Sequence, residues 1–148
     1  MREATRVDQR LARVAHDILP PQVSQELRTR MRQLPSRLRG GGLAATYAFI
    51  LSKSKNDPKD SLGYAYHRLA AKIAEHVAER KLLGDLDPDI DQREFMHALS
   101  EADTRRYARV SAEVDALAVW LSRLADAYYE GPKAGEDDAR EQEERQEA

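Results

Sequence analysis

Cysteine is absent from the 148 residues, which excludes disulfides, thiol nucleophiles and thiolate metal sites together and leaves packing to hold the fold. No window approaches the roughly 18 consecutive apolar residues a membrane span needs. The first seventeen residues alternate Arg with Leu, Val and Ala instead of presenting an apolar signal core, so a cytoplasmic protein is expected. Glycine (seven) and proline (six) are scarce, and aromatics make up 6% against 34% charged residues. The remainder has the Ala, Leu, Glu and Arg bias of helical proteins, which points to an all-α fold. A chain of this length fits one domain with a real core.

The charge that is present is unevenly placed. A formal net charge of -2 conceals five arginines between residues 28 and 39 (Arg28, Arg30, Arg32, Arg37, Arg39) with no acid among them. After Gly131 the balance reverses: Glu136, Asp137, Asp138, Glu141, Glu143, Glu144 and Glu147 face Lys133, Arg140 and Arg145, and apolar side chains nearly vanish. The expectation is a single helical-bundle domain over residues 1–130 followed by an acidic, disordered tail over 131–148.

Apolar periodicity predicts five to six helices in a compact bundle. Val7, Leu11, Val14 and Ile18 form one face of a first helix from about residue 3 to 19, stopped by Pro20 and Pro21. Val23, Leu27, Met31, Leu34 and Leu38 define a second that reaches Gly40, with Pro35 as a kink or restart. Leu43 to Leu51 is apolar around its circumference and reads as the central buried helix. Asp57 and Pro58 read as cap and first residue of a fourth helix ending near Gly84. Phe95, Met96 and Leu99 indicate a short fifth. Ser100 with Asp103 resembles a capping box for the last helix, whose seam is Tyr107, Val110, Val114, Leu117, Leu121, Leu124 and Tyr128.

No set of side chains points to catalysis, a metal or a cofactor, and an enzyme is not expected. His16, His67, His76 and His97 are far apart, with no pair at the i, i+4 spacing of a zinc site, and read as surface or helix-end residues. Asp85, Asp87, Asp89 and Asp91 suggest a calcium loop, but Ile90 stands at the place of its Gly and Met96 at that of its Glu, so a solvated turn is the better reading. Gly40 to Gly42 lacks the Lys-Ser or Lys-Thr of a nucleotide loop. Close helix packing and a backbone contact to an RNA phosphate both remain open for it.

The arginines carry more. Arg2, Arg6, Arg10 and Arg13 form a stripe on the first helix, laced with Glu3, Asp8 and Asp17. The segment from Arg28 to Arg39 has no local acid to balance it, and such a surface attracts polyphosphate with strong salt dependence. On the last helix Arg109, Glu113, Ala116, Trp120 and Arg123 share one side, with Arg109 and Glu113 at pairing distance. Trp120 reads as core before it reads as a base-stacking platform.

Two segments, LPSRLRGGGLAATYAFILSK from Leu34 to Lys53 and YARVSAEVDALAVWLSRLADA from Tyr107 to Ala127, together resemble the signatures of the small α-helical subunit of the type III-B CRISPR effector, the Cmr complex. That resemblance implies a non-catalytic subunit, present in several copies stacked beside the backbone subunits. It implies contact with guide RNA and target RNA through a basic face, and cleavage by other subunits. Arg37, Arg39, Lys53 and Lys55 are then the first candidates for RNA contact, followed by Arg109 and Arg123. A protein-only adaptor whose Arg-rich segment binds an acidic partner is the alternative.

Overall fold

The protein, analysed as a computed structural model, is described over residues 2–132, with side chains from residue 6 onward. The expected disordered tail lies from residue 133 onward outside the described residues. Six helices follow one another: α1 (Arg2–Ile18), α2 (Gln25–Gly41), α3 (Leu43–Lys53), α4 (Ser61–Glu79), α5 (Gln92–Glu101) and α6 (Thr104–Tyr128). No strand occurs among the described residues. The all-α bundle read from periodicity is therefore the fold.

The apolar series of the sequence become the core directly. Leu11, Ala15 and Ile18 of α1 and Leu27, Met31, Leu34 and Leu38 of α2 are buried. Both helices pack on α6, with α2 making the most extensive contact along Val110, Val114, Leu117 and Leu121. Each such side chain contributes roughly 1.5–3 kcal/mol on leaving water. On the other side α4 packs against α3 and α1, and α5 closes over α3. Phe95 of α5 is fully buried, edge-to-face with Tyr47 of α3 at 5.0 Å, whose hydroxyl donates to the Ala70 carbonyl of α4 at 3.0 Å.

Several local expectations are corrected. α2 does not restart at Pro35 but runs through it as one element. α3 is not the central buried helix: it buries only Leu43, Thr46, Tyr47 and Ile50, while α4 buries ten positions. Much of the apolar circumference of α3 is alanine, and Ala45 and Ala48 sit exposed, since a methyl group loses little by facing water. α4 begins three residues later than expected. Asp60 caps it by accepting from the Gly63 N–H at 2.9 Å, whereas the Asp57 carboxylate closes its own turn on the Lys59 N–H. Pro58 only permits a helix start, and a free N–H three residues beyond the Asp carboxylate selects it.

α4 also ends early, at Glu79. Lys81 takes the left-handed conformation (φ 55°) that glycine usually supplies, and the Leu82 N–H returns to the Val77 carbonyl at 3.1 Å. This is a Schellman-type close, and Gly84 comes too late to serve it. α6 is capped by Asp103, which accepts from the Arg106 N–H at 2.8 Å. Ser100 instead donates to the carbonyl of His97 within α5.

One buried polar cluster ties α4 to α6. His76 lies in the last turn of α4, a helix-end histidine as expected, but it is buried at 3% exposure and not at the surface. Its Nε2 lies 2.6 Å from Glu113 Oε2, and Arg80 donates to both oxygens of the same carboxylate. Glu113 thus does not pair with Arg109. The competing partners come from another helix and hold it in a half-enclosed site where charged hydrogen bonds are strong.

Candidate nucleic-acid interface

The buried positions of α2 at 27, 31, 34 and 38 leave the rest of its circumference to water; Arg30 and Arg37 fall on one flank of the buried side and Arg28, Arg32 and Arg39 on the other, and one of the five is not at the surface. Arg28 is buried at 6% exposure. It pairs with Asp126 of α6 at 2.8 Å and lies 4.6 Å over the ring of Tyr129. The acid missing from the local sequence is supplied by the antiparallel neighbour. The same holds more weakly at the other end of α2, where Arg39 lowers the Asp115 carboxyl that burial raises.

Arg30, Arg32, Arg37 and Arg39 remain on the surface. Arg30 has Glu26 at 4.0 Å, a largely solvated pair, and Arg39 bonds Ser36 at 3.3 Å. Arg37 lies over Phe49 of α3, 3.7 Å from the ring centroid, with Lys53 at 5.8 Å from the same ring. Tyr66 of α4 meets Phe49 edge-to-face at 6.0 Å. Burial pushes its hydroxyl up, against which the charges of Arg30 and Arg37 draw it down. One aromatic platform therefore gathers cations from α2 and α3. A guanidinium resting on a ring surrenders less side-chain freedom when it meets a phosphate than one waving in water.

The other expected contacts lie apart from this platform. Lys55 pairs with Asp60 at 3.5 Å, and its backbone N–H donates to the Gly63 carbonyl, so it stands at the start of α4. Arg109 and Arg123 are exposed on the outer strip of α6 with Ala112 and Ala116. That strip adjoins Arg39 through Asp115 but does not reach Phe49. Trp120 is half-buried, and its indole N–H donates to Asp8 of α1 at 2.9 Å, which seals α1 onto α6. Aromatic Phe49 was not singled out by sequence reasoning, because an apolar residue in an apolar run gives no sign of being half-covered by an arginine.

The glycines resolve differently from the packing reading. A Cβ on Gly40 would meet nothing within 4 Å and one on Gly41 only Ala45 at 3.8 Å, so neither is required for close packing. Gly42 is required: its φ of 85° and ψ of 171° belong to a region open essentially to glycine alone. This residue closes α2 through its own N–H to Leu38 and opens α3 through its carbonyl to Thr46. One N–H of the first turn of α3 is already engaged, since that of Ala44 donates to the hydroxyl of Tyr107 on α6 at 2.9 Å. Tyr107→Phe should cost about 1 kcal/mol, the usual worth of a cap. An unchanged denaturation midpoint would show that water replaces the hydroxyl.

The stripe on α1 faces a groove of about 650 Å³ against α4. Arg6, Arg10 and Arg13 line it with Lys72 and Arg80, but so do Asp17, Glu75 and Glu79, and Arg10 is bonded to Glu79. Mixed signs make it a poorer phosphate surface than the outer side of α2. Among the described residues no group of three or more His, Asp or Glu side chains is arranged to hold a metal. No described helix is long and apolar enough to cross a membrane.

A family model described as CRISPR-associated protein (Cas_Cmr5) matches residues 2–128. No curated protein and no solved structure matches the chain.

Proposed function

Because the chain belongs to the CRISPR-associated Cas_Cmr5 family, we propose that it is a non-catalytic small subunit of a type III-B effector complex. In this reading it stacks in several copies along the backbone subunits and supports guide and target RNA through the outer side of α2 and the end of α3. The observation that carries it is the cluster of Arg37 and Lys53 on Phe49, with Arg30 on the same flank of α2 and Arg32 and Arg39 on the flank toward α6. Such a surface holds a phosphodiester backbone without reading its bases. Arg37 and Arg39 are the main contacts, Arg37 with Lys53 beside it and Arg39 on the flank of α2 toward α6. Lys55, Arg109 and Arg123 are peripheral contacts, since they lie off the platform.

The reading is tested by assembling the complex with wild-type protein and with Arg37→Ala, Arg39→Ala together, and measuring incorporation and target-RNA affinity across a salt series. Incorporation should be unchanged while the slope of log affinity against log salt flattens by about 1–2 units per subunit copy in contact, as expected when about two phosphate contacts are lost. Unaltered affinity and slope would assign this face to a protein neighbour, and failure of the wild-type chain to enter such a complex would refute the role itself.

A further inference from the structure

The groove between α1 and α4 carries charges that the fold leaves open. Its two helices are antiparallel, with Arg10 bonded to Glu79 and Arg68 to the carbonyl of Asp17. Arg6, Arg13 and the carboxylate of Asp17 line the same groove, and among the described residues none of the three side-chain charges has a hydrogen bond or ion pair. Arg6 and Arg13 are seven residues apart, which puts them about 10.5 Å from each other on nearly one line of the helix. Half-buried Val7 and Val14 repeat that spacing beside them. A helix laid between α1 and α4 would therefore meet one heptad-like row of charge and apolar surface.

The chain itself presents the matching strip. α5 buries Phe95 and Leu99, and Arg93, Glu94, His97 and Glu101 are exposed on its other side. Among the described residues their side chains make no hydrogen bond or ion pair. Glu94 and Glu101 are again seven residues and about 10.5 Å apart, with half-buried Ala98 between them. Set antiparallel to α1, Glu101 stands at Arg6, Glu94 at Arg13, and Arg93 falls on the side of Asp17. The parallel setting loses that third match. Arg30 and Arg37 of α2 repeat the spacing, but Glu26 and Phe49 already engage them. The wider charge balance agrees: residues 85–101 sum to -5 (1 minus 6), whereas five cations of the groove face three acids.

We propose that the outer strip of α5 docks antiparallel to α1 in the α1–α4 groove of a second copy of this chain, with Glu101 on Arg6, Glu94 on Arg13 and Ala98 over the row of Val7 and Val14. Its place in a stack of copies rests on the function proposed above, while the contact itself stands on charge and spacing. The mixed signs that make the groove a poorer match to phosphate suit a protein neighbour that carries both signs. Each copy holds both halves, so the contact repeats from one copy to the next unless it closes on itself. Arg37, Phe49 and Lys53 belong to neither half. The copy-to-copy contact and the RNA platform are thus separate sets of residues.

The test uses the full chain alone, without RNA or other subunits, in sedimentation velocity at low salt. Wild type should self-associate. Arg6→Glu with Arg13→Glu in one variant, and Glu94→Arg with Glu101→Arg in another, should each weaken association at least about tenfold, because like charges then face each other. An equimolar mixture of the two should regain wild-type association, since each supplies the charge that the other has reversed, and this rescue also shows that both variants fold. Arg30→Glu with Arg37→Glu should associate as wild type does. A wild-type chain that stays monomeric up to about 1 mM, a mixture no better than either variant, or loss of association in the α2 variant overturns the proposal. Association that follows the expected pattern stands even if the chain binds no RNA, and its absence leaves the Arg37 and Arg39 experiment to decide the function by itself.

Discussion

Replacing Glu113 by alanine is expected to lower the free energy of unfolding by roughly 3–5 kcal/mol, the range for removing one partner of a buried charged pair. His76 has one polar contact among the described residues, through Nε2 to Glu113; its Nδ1 is buried with no partner. Nε2 is therefore the nitrogen that donates to the carboxylate, and in the alanine variant the buried imidazole loses its acceptor. For a chain of this size the midpoint of thermal unfolding should fall by about 10–15 °C. A loss below about 1 kcal/mol would mean that water enters and bonds the imidazole.

The same carboxylate makes stability depend on acid. Burial alone would raise Glu113, but hydrogen bonds from His76 and Arg80 and the charge of Arg80 outweigh it and hold the carboxyl down at about 2. A group whose acidity is strengthened by folding stabilises the native state at pH values above its ordinary range near 4.5, and this contribution is lost as pH falls from there to about 2. Its size is on the order of 3 kcal/mol. Glu113→Gln keeps the shape and one acceptor oxygen, so the gap in stability between wild type and this variant should close across that window. A gap that stays constant from pH 7 to pH 2 would place the charge outside the stabilising network.

Phe95→Ala is the second large effect, at about 3–5 kcal/mol for a fully buried ring. α5 buries only Phe95 and Leu99, so the loss falls first on this helix. Amide exchange in residues 92–101 should accelerate far more than in α2 and α6, which pack on each other independently of it. Tyr47 reports the same event: its phenol is driven up by burial and by Asp91, and without the ring of Phe95 beside it the phenol should titrate at lower pH in an alkaline absorbance scan. Equal acceleration throughout the chain would instead mean that the bundle opens as one unit.

The helix-terminal errors have a common cause. Asp57, Ser100 and Gly84 are each the right residue type near the right place, yet Asp60, Asp103 and Lys81 hold those positions. A cap is selected by which N–H or carbonyl is left free once the helix has docked, and several nearby residues can serve. The platform on Phe49 and the cluster around Glu113 were harder still to see. In both, residues from two or three helices meet, and no spacing within one segment encodes that.

What the sequence determined by itself is what depends on neighbours along the chain: apolar periods of three and four residues made the helices and chose their buried sides, and two short signatures sufficed to indicate the family. Tertiary structure alone decided which charges are spent and which remain available. Arg28 and Arg37 are nine positions apart and chemically identical, but packing of α6 against α2 gives Arg28 a carboxylate and a buried place, whereas Arg37 meets the face of Phe49 and stays at the surface. Electrostatic partners act through space over a few ångströms, so their assignment waits on the fold.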